Sequence, residues 1–294
     1  MPTTVATLIQ QTWNKLYTSH RRTIAVLAGS LDASTTSVTV DDASQIASGH
    51  EVEVDDEMMR VRSVSDNTLT VIRGWAGTTA ATHADGSIVD LNPKFPRHQV
   101  RQALGEELRS WPADVYRVDE VDLDTASGTS GYDLTGVTSL LEVLDVQLGP
   151  RSLVNDVAVV RPTFDVVRNA DVSIYPSGTG IVLLGLVPSE ARDLRVIYSA
   201  PFDTSSLADP VDAEATIGLA SSMLDIPVLG AASRMMVGRE VKRSFGEGQG
   251  EPRRAEEIPP GMSSGTATFL RREVQRRLGE EAMRLRAVYG LRRT

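Results

Sequence analysis

Residues 49–93 read GHEVEVDDEMMRVRSVSDNTLTVIRGWAGTTAATHADGSIVDLNP, and apolar and polar side chains alternate through most of this stretch. Alternation with a period of two is typical of β strands that bury one face. The pairs Asp55-Asp56 and Asp66-Asn67 fall between the alternating runs, where turn residues are expected. Because the same pattern begins near Thr23, we predict a small antiparallel β-barrel-like module over residues 23–92. Asp55, Asp56 and Glu57 then form a charged hairpin tip rather than a metal site.

Helical spacing of apolar residues flanks this module on both sides. The stripe before it consists of Val5, Ile9, Trp13 and Leu16, which predicts an N-terminal helix within residues 1–22. The stripe after it consists of Val100, Leu104, Leu108 and Trp111. Pro93 and Pro96 precede this second stripe and Pro112 follows it, so a helix is predicted within residues 93–113.

Residues 114–203 show strand-like runs with no helical segment between them. The runs are 140–146, 157–160, 172–175, 181–184 and 194–198. Gly, Pro, Asn and Asp fill the connections, which predicts an inserted antiparallel β-sandwich. Many carbohydrate-binding modules are sandwiches of this kind, but aromatic residues make up only 5% of this chain and form no cluster.

The last third of the chain is predicted to return to helix. Asp209-Pro210 is a favourable helix start, so we predict one helix from there to about Leu224 and a second from Pro227, within a helical core of residues 204–243. Residues 244–265 are rich in Gly and Pro and are predicted to form a flexible arm. Together these predictions give an α+β fold with a helical core, the barrel-like module, the inserted sandwich and a C-terminal amphipathic helix.

That C-terminal helix, within residues 266–294, is the candidate docking element. An apolar stripe and several arginines share its circumference, and an amphipathic helix on a tether is suited to binding a groove on a partner. The alternative is that it folds back on its own helices. The predicted docking residues are Leu270, Arg272, Val274, Arg276, Leu278, Arg284, Leu285, Arg286 and Tyr289.

Charge is divided unevenly along the chain. Of its 30 Lys and Arg and 39 Asp and Glu, 14 and 8 lie from Arg234 onward. That segment therefore has a net charge of +6, and the rest of the chain, with 16 basic and 31 acidic residues, has −15. An acidic body is a poor binder of DNA, because phosphate contacts need Lys and Arg. The basic tail indicates docking on an acidic partner.

The composition argues against an enzyme. The chain has no cysteine and four histidines that are isolated in sequence, and it lacks phosphate-loop, GxGxxG and HExxH patterns. We therefore expect no catalytic residue, no metal and no cofactor. No run of about 18 apolar residues and no secretory signal pattern occurs, so no membrane segment is expected.

One set of residues resembles a known family. The set is Asn67-Thr68-Leu69-Thr70-Val71, Arg73-Gly74, Gly77-Thr78, Ala81, His83, Gly86 and Val89, followed by Asn92-Pro93-Lys94-Phe95-Pro96 and Val100-Arg101-Gln102-Ala103-Leu104. The first part resembles a module of structural proteins of tailed bacteriophages, and the second resembles the start of a helix in head-to-tail adaptor (connector, neck) proteins. The C-terminal helix is similar in style to the last helix of such proteins. The segment 114–203 has no counterpart in the resemblance.

The resemblance implies a structural role in the virion, in a particle made in the host cytoplasm. Adaptors form homo-oligomeric rings, usually of twelve copies, which bind the portal protein on one side and the tail or a stopper protein on the other. Double-stranded DNA passes through the ring during ejection without sequence-specific binding. Two alternatives stay open: a structural protein of the tail or baseplate, and a carbohydrate-binding module of the virion.

Overall fold

The computed structural model describes residues 2–17, 22–137, 139–149, 159–243 and 262–289. The chain divides into two compact units. Unit 1 comprises Met1–Ser110, Ser206–Asp212 and Leu224–Arg276, and unit 2 comprises Trp111–Ser205, Ala213–Met223 and Arg277–Thr294. The predicted flexible arm falls, up to Gly261, outside the described residues.

Unit 1 contains a six-stranded antiparallel sheet and helices. The strands are β1 Thr23–Val26, β2 Ser37–Thr39, β3 Glu51–Val54, β4 Glu57–Ser65, β5 Thr68–Trp75 and β6 Ile88–Leu91. The helices are α1 Val5–Leu16, α2 Arg97–Arg109, α3 Asp225–Arg243 and the part of α4 Met262–Tyr289 that extends to Arg276.

The sheet curls into a small barrel. Its order is β1-β6-β3-β4-β5-β2, and backbone hydrogen bonds from Ala28 to Thr39 (2.8 Å) and from Asp41 to Val26 (2.9 Å) join the chain next to its two edge strands. Alternate side chains point inward and form one apolar cluster, as the period of two predicted. That cluster includes Leu27, Val38, Val40, Val52, Val54, Met59, Val61, Leu69, Val71 and Val89.

The barrel is connected to the helices through polar contacts as well as packing. Glu53, buried in β3, accepts hydrogen bonds from the backbone amides of Arg97 (2.6 Å) and His98 (3.4 Å). These amides open α2, whose N-cap residue Pro96 provides no side-chain bond, so Glu53 satisfies groups that a helix start leaves unpaired. Burial, the largest influence, raises the pKa of Glu53, although the contacts with His98 and Arg97 oppose it.

Unit 2 consists of two three-stranded antiparallel sheets that share one apolar core. The strands are β7 Arg117–Asp124, β8 Gly131–Asp133, β9 Glu142–Leu148, β10 Thr163–Arg168, β11 Thr179–Leu184 and β12 Asp193–Ala200. The orders are β7-β12-β9 and β10-β11-β8. Tyr132, Ile181 and Leu183 of one sheet pack with Val146 and Val196 of the other.

The predicted fold class is wrong. The described residues form twelve strands in three antiparallel sheets and only four α helices, so the chain is mainly a β protein. In the described part of the chain, the apolar clusters of the barrel and of unit 2 are built mainly from sheet residues. Sequence reasoning gave too much weight to helix-start residues in the last third of the chain.

The predicted helix from Asp209 to Leu224 is absent, and this stretch forms turns and a short 3-10 segment at Ser221–Met223. Asp209 binds Arg97 and Arg101 (2.6 Å each) instead of capping a helix. Gly218 has a φ of +86° and lies against Arg117, whose Cδ would be 1.8 Å from an added Cβ. Both interactions are non-local, so helix-start signals could not reveal them.

Two predicted strands of unit 2 also differ from the structure. Residues 172–175 form a turn in which Val172 and Ile174 are each 68% exposed. Of the run 157–160, residues 157 and 158 lie outside the described part, and Val160 makes a single bridge with Leu148. Among the described helices, none combines the length and the apolar character needed to cross a membrane.

Candidate docking surface

Helix α4 divides the predicted docking residues into an inner and an outer group. Val274, Leu278 and Leu285 are buried, and Leu270 and Tyr289 are half-buried. The outer group consists of Arg272, Arg276, Arg284 and Arg286, which are all exposed. The apolar stripe is therefore already covered within this chain, and the surface that α4 offers to a partner is the opposite one.

Sequence reasoning missed two apolar members of that outer surface. Phe269 is 66% exposed and Met283 is 64% exposed. Phe269, Arg272 and Arg276 follow the i, i+3, i+7 spacing of a single helix face, and Met283 continues the same face seven residues later. The signal was present in the sequence, but the stronger stripe through Val274 drew the prediction to the other side of the helix.

Helix α4 is also peripheral. In the described part of the chain α2 and α3 pack along each other, and α1 packs along α3, whereas no strand or helix packs along α4 in this way. One stripe of this 28-residue helix is buried, at Ala267, Val274, Leu278, Ala282 and Leu285, and the opposite part of its circumference is exposed to solvent. Such a helix is positioned by a few buried side chains and by specific polar contacts.

Most outer arginines have a nearby carboxylate. Arg284 binds Glu281 (2.6 Å), Arg286 binds Asp114 (3.0 Å), and Arg276 binds Glu273. The pairs of Arg276 and Arg286 are exposed and contribute about 0–1 kcal/mol each to stability, so a partner's carboxylates can replace them at little cost, whereas the Glu281 that Arg284 binds is buried. Arg272 has no ion pair or hydrogen bond with any described residue.

A buried carboxylate fixes the first half of α4. Glu107 of α2 is 0% exposed, and Arg234 of α3 binds it from Nε (2.6 Å) while Arg271 of α4 binds both of its oxygens from Nη1 (2.8 Å each). Gly230 of α3 makes room for it, because an added Cβ would lie 2.3 Å from the Cγ of Glu107. Three helices of unit 1 therefore meet at one charged group, which we call the Glu107 clasp (Glu107, Arg234 and Arg271).

A second buried network occupies the barrel and involves the residues that carry the phage resemblance. Arg73 binds Glu57 through Nε and Nη2 (2.7 Å each). Its remaining N–H groups bind the carbonyl oxygens of Asp32 (2.7 Å), Thr35 (2.7 Å) and Ala81 (2.6 Å). All five guanidinium donors are therefore used, which matches the full capacity of an arginine side chain.

Glu57 completes this network. It accepts further bonds from the amides of Gly74 (3.0 Å) and Ala81 (2.9 Å), and from Nε2 of His83 (3.0 Å), whose Nδ1 lies 2.7 Å from Asp55. Burial opposes the charged form, but the bonds from Arg73, Ala81, His83 and Gly74 together outweigh it and lower the pKa of Glu57 to about 2. We call Glu57, Arg73 and His83 with these contacts the Glu57 network.

The Glu57 network explains why the Arg-Gly, Ala and His of the resemblance stand at their spacing. They fasten the chain between β5 and β6 to β4 and to the loop before β2. Among the described residues, no group of three or more His, Asp and Glu is arranged to hold a metal ion. The bonds to Glu57 give the motif a role in holding these segments of the barrel together.

Comparison with known proteins found no protein family that matches the chain and no curated protein that is similar to it. Among solved structures, part of the chain is similar to the Gp54 tailspike of Acinetobacter baumannii bacteriophage AP22, which was solved in complex with A. baumannii capsular saccharide. The identity is 22%, the match covers 24% of this chain and 15% of the tailspike chain, and the TM-score is 0.19. A likeness of this size supports neither a common fold nor a common activity.

Proposed function

We propose that this chain is a structural, non-catalytic subunit of a tailed-bacteriophage particle, and specifically a head-to-tail adaptor that forms a ring at the neck. The observation that carries the proposal is helix α4, a peripheral helix with exposed Phe269, Arg272 and Arg276 on one face. An aromatic ring flanked by arginines on one helix face is suited to burial against a neighbouring subunit.

The Glu57 network supports the phage part of the proposal. Four of the residues quoted for the resemblance, Arg73, Gly74, Ala81 and His83, are bonded to the same carboxylate, Glu57. Motif residues that bind the same group are less easily explained by chance than motif residues that have no contact with one another. Part of the resemblance to phage structural modules therefore corresponds to one hydrogen-bonded group in the barrel.

The proposed partners follow from the adaptor role. They are further copies of this chain in a ring of about twelve, which requires that one surface of each copy fit a different surface of the next. They also include the portal protein, a tail or stopper protein, and double-stranded DNA that passes through the ring. The acidic body, with a net charge of −15 before Arg234, suits a channel that DNA crosses without adhering.

The alternative is a structural protein of the tail or baseplate, or a carbohydrate-binding module of the virion. The mainly β fold favours this alternative. The adaptor was predicted with a helical core, whereas the described residues form three antiparallel sheets, which also suit a tail component. Sugar binding in unit 2 has less support. Every aromatic ring in the described part of that unit is buried or half-buried, which leaves no open platform for a sugar ring.

Electron microscopy of particles that carry a labelled copy of this chain separates these proposals. We expect the label between head and tail, and a label on the tail tip would favour the alternative. The double variant Phe269→Asp with Arg272→Glu should prevent incorporation, because it places acid on the exposed face of α4. Val172→Asp, a change at an equally exposed apolar residue of unit 2, is the matched control and should be incorporated normally.

A further inference from the structure

We infer that the Glu107 clasp holds the first half of α4 on unit 1 in the unassembled chain and is built to release it. This inference rests on the proposed docking role of α4 and adds how the helix becomes available. It concerns residues 265–276, which belong to unit 1 together with Glu107 and Arg234.

The clasp contains two arginines, although one is enough to neutralise the charge of Glu107. A buried carboxylate that loses its only cation is strongly destabilising, because the charge stays out of water without compensation. Here Arg234 and Arg271 bind Glu107 at the same time, each within 2.8 Å. If Arg271 leaves with α4, Arg234 still neutralises Glu107, so the departure of the helix does not strand a buried charge.

The two arginines are held very differently. Arg234 also donates from Nη2 to the hydroxyl of Ser110 (2.8 Å), and its helix α3 packs along α1 and α2. The described bonds of Arg271 both go to Glu107, whereas the exposure of the two side chains is similar, 42% for Arg271 and 32% for Arg234. Arg234 is therefore the fixed partner of the carboxylate and Arg271 is the detachable one.

Little apolar surface opposes the release. In residues 265–276 the fully buried apolar side chains are those of Ala267 and Val274, which are small, and Leu270 is half-buried. Hydrophobic stabilisation is proportional to the apolar area removed from water, so this half of α4 is held weakly compared with a helix that buries several leucines. The two bonds of Arg271 then make up a large share of what keeps it in place.

Release of the first half of α4 would expose the apolar stripe that the sequence predicted to dock on a partner. Leu270 and Val274 lie one turn apart and become free to enter an apolar groove on a partner, together with the already exposed Phe269. The occupant of that groove is α4 itself, and the partner is the protein on which the proposed adaptor docks. Closed on its own chain, the stripe is protected from non-specific association before assembly.

Hydrogen exchange on the full chain, with no partner present, tests the clasp. In Arg271→Gln the amides of residues 265–276 should exchange about tenfold faster, since hydrogen bonds to a charged group are lost, while α2 and α3 keep their protection. Arg271→Lys retains the charge and should restore most of the protection. Arg234→Gln is the matched control and should instead speed exchange in α2 and α3.

Two outcomes would overturn the inference. In the first, Arg271→Gln leaves the exchange of residues 265–276 unchanged, so the ion pair does not hold the helix. In the second, the same variant loosens α2 and α3 as much as α4, so Arg234 does not protect Glu107. Because no partner is used, either outcome leaves the proposed adaptor role untouched, and a failure of that role in labelled particles leaves the clasp untouched.

Discussion

At the scale of single residues, two of the buried carboxylates, Glu57 and Glu107, are each held by several bonds from arginine. Glu57 is bound by Arg73 from 16 residues away, and Glu107 is bound by Arg271 from 164 residues away. Glu57 and Arg73 meet on the paired strands β4 and β5, whereas Glu107 and Arg271 are brought together only by the complete fold. The Arg-Gly and His positions of the motif could be singled out, but the role of Glu57 as their common acceptor could not.

Replacing Arg73 tests the Glu57 network. Arg73→Gln should lower the free energy of unfolding by about 3–5 kcal/mol, because it leaves a buried carboxylate without its cation. Urea denaturation of the purified chain measures the change. Arg60→Gln is the control on the same sheet: Arg60 is exposed and lies over the ring of Trp75 (4.8 Å), and its loss should cost about 0.5–1 kcal/mol. Equal losses for both variants would contradict the network.

The pH dependence of stability follows from the pKa of Glu57, which is about 2 in the folded chain and has an ordinary value of 4.5. The unfolded chain therefore binds this proton more readily than the folded one. The stabilisation is fully present above about pH 4.5 and is lost as the pH falls toward 2. Urea titrations between these limits should show a steeper acid loss in the parent chain than in Glu57→Gln. Identical slopes would show that other groups control acid unfolding.

At the scale of elements, strands and helices were predicted correctly where the spacing of apolar residues in the local sequence matches the face that is buried. The alternation of β3, β4 and β5 and the stripe of α1 correspond to strands and to a helix that bury those faces. It failed for β7, whose charged residues mask the inward Val121 and Leu123, and for β8, which is only three residues long. These strands are defined by pairing with β12 and β11, which are distant in sequence.

Helix α4 allows a comparison between its two faces. Val274→Asp should lower the melting temperature by several degrees, because it places a charge at a fully buried position. Phe269→Asp, five residues earlier on the exposed face, should leave the melting temperature nearly unchanged. Differential scanning calorimetry measures both. A large loss in Phe269→Asp would mean that the outer face already has a structural role within the chain.

At the scale of the whole molecule, two β-rich units replace the predicted helical core. Each unit has a β core of its own, the barrel in one and the paired sheets in the other. Changes of period along the sequence predicted separate β regions, but they did not reveal the fold class. The error arose because small, helix-compatible residues after Asp209 were assigned to a helix, although tertiary contacts hold much of that stretch in turns.

Assembly is the property on which the account depends most. In the proposed assembly, the acidic body would line a channel, and the basic C-terminal segment with α4 would contact neighbouring molecules. The proposed ring and the proposed clasp make separate demands on the chain. One requires specific association between copies and with a portal, and the other requires only that α4 be held weakly at rest.

The most direct test is the mass of the purified chain, measured by native mass spectrometry alone and after mixing with the portal protein of the same particle. The account predicts a complex in which about twelve copies are bound to the portal. The variant Phe269→Asp with Arg272→Glu should not form this complex, although it folds normally. A chain that stays monomeric at every concentration and never joins the portal would contradict the adaptor proposal.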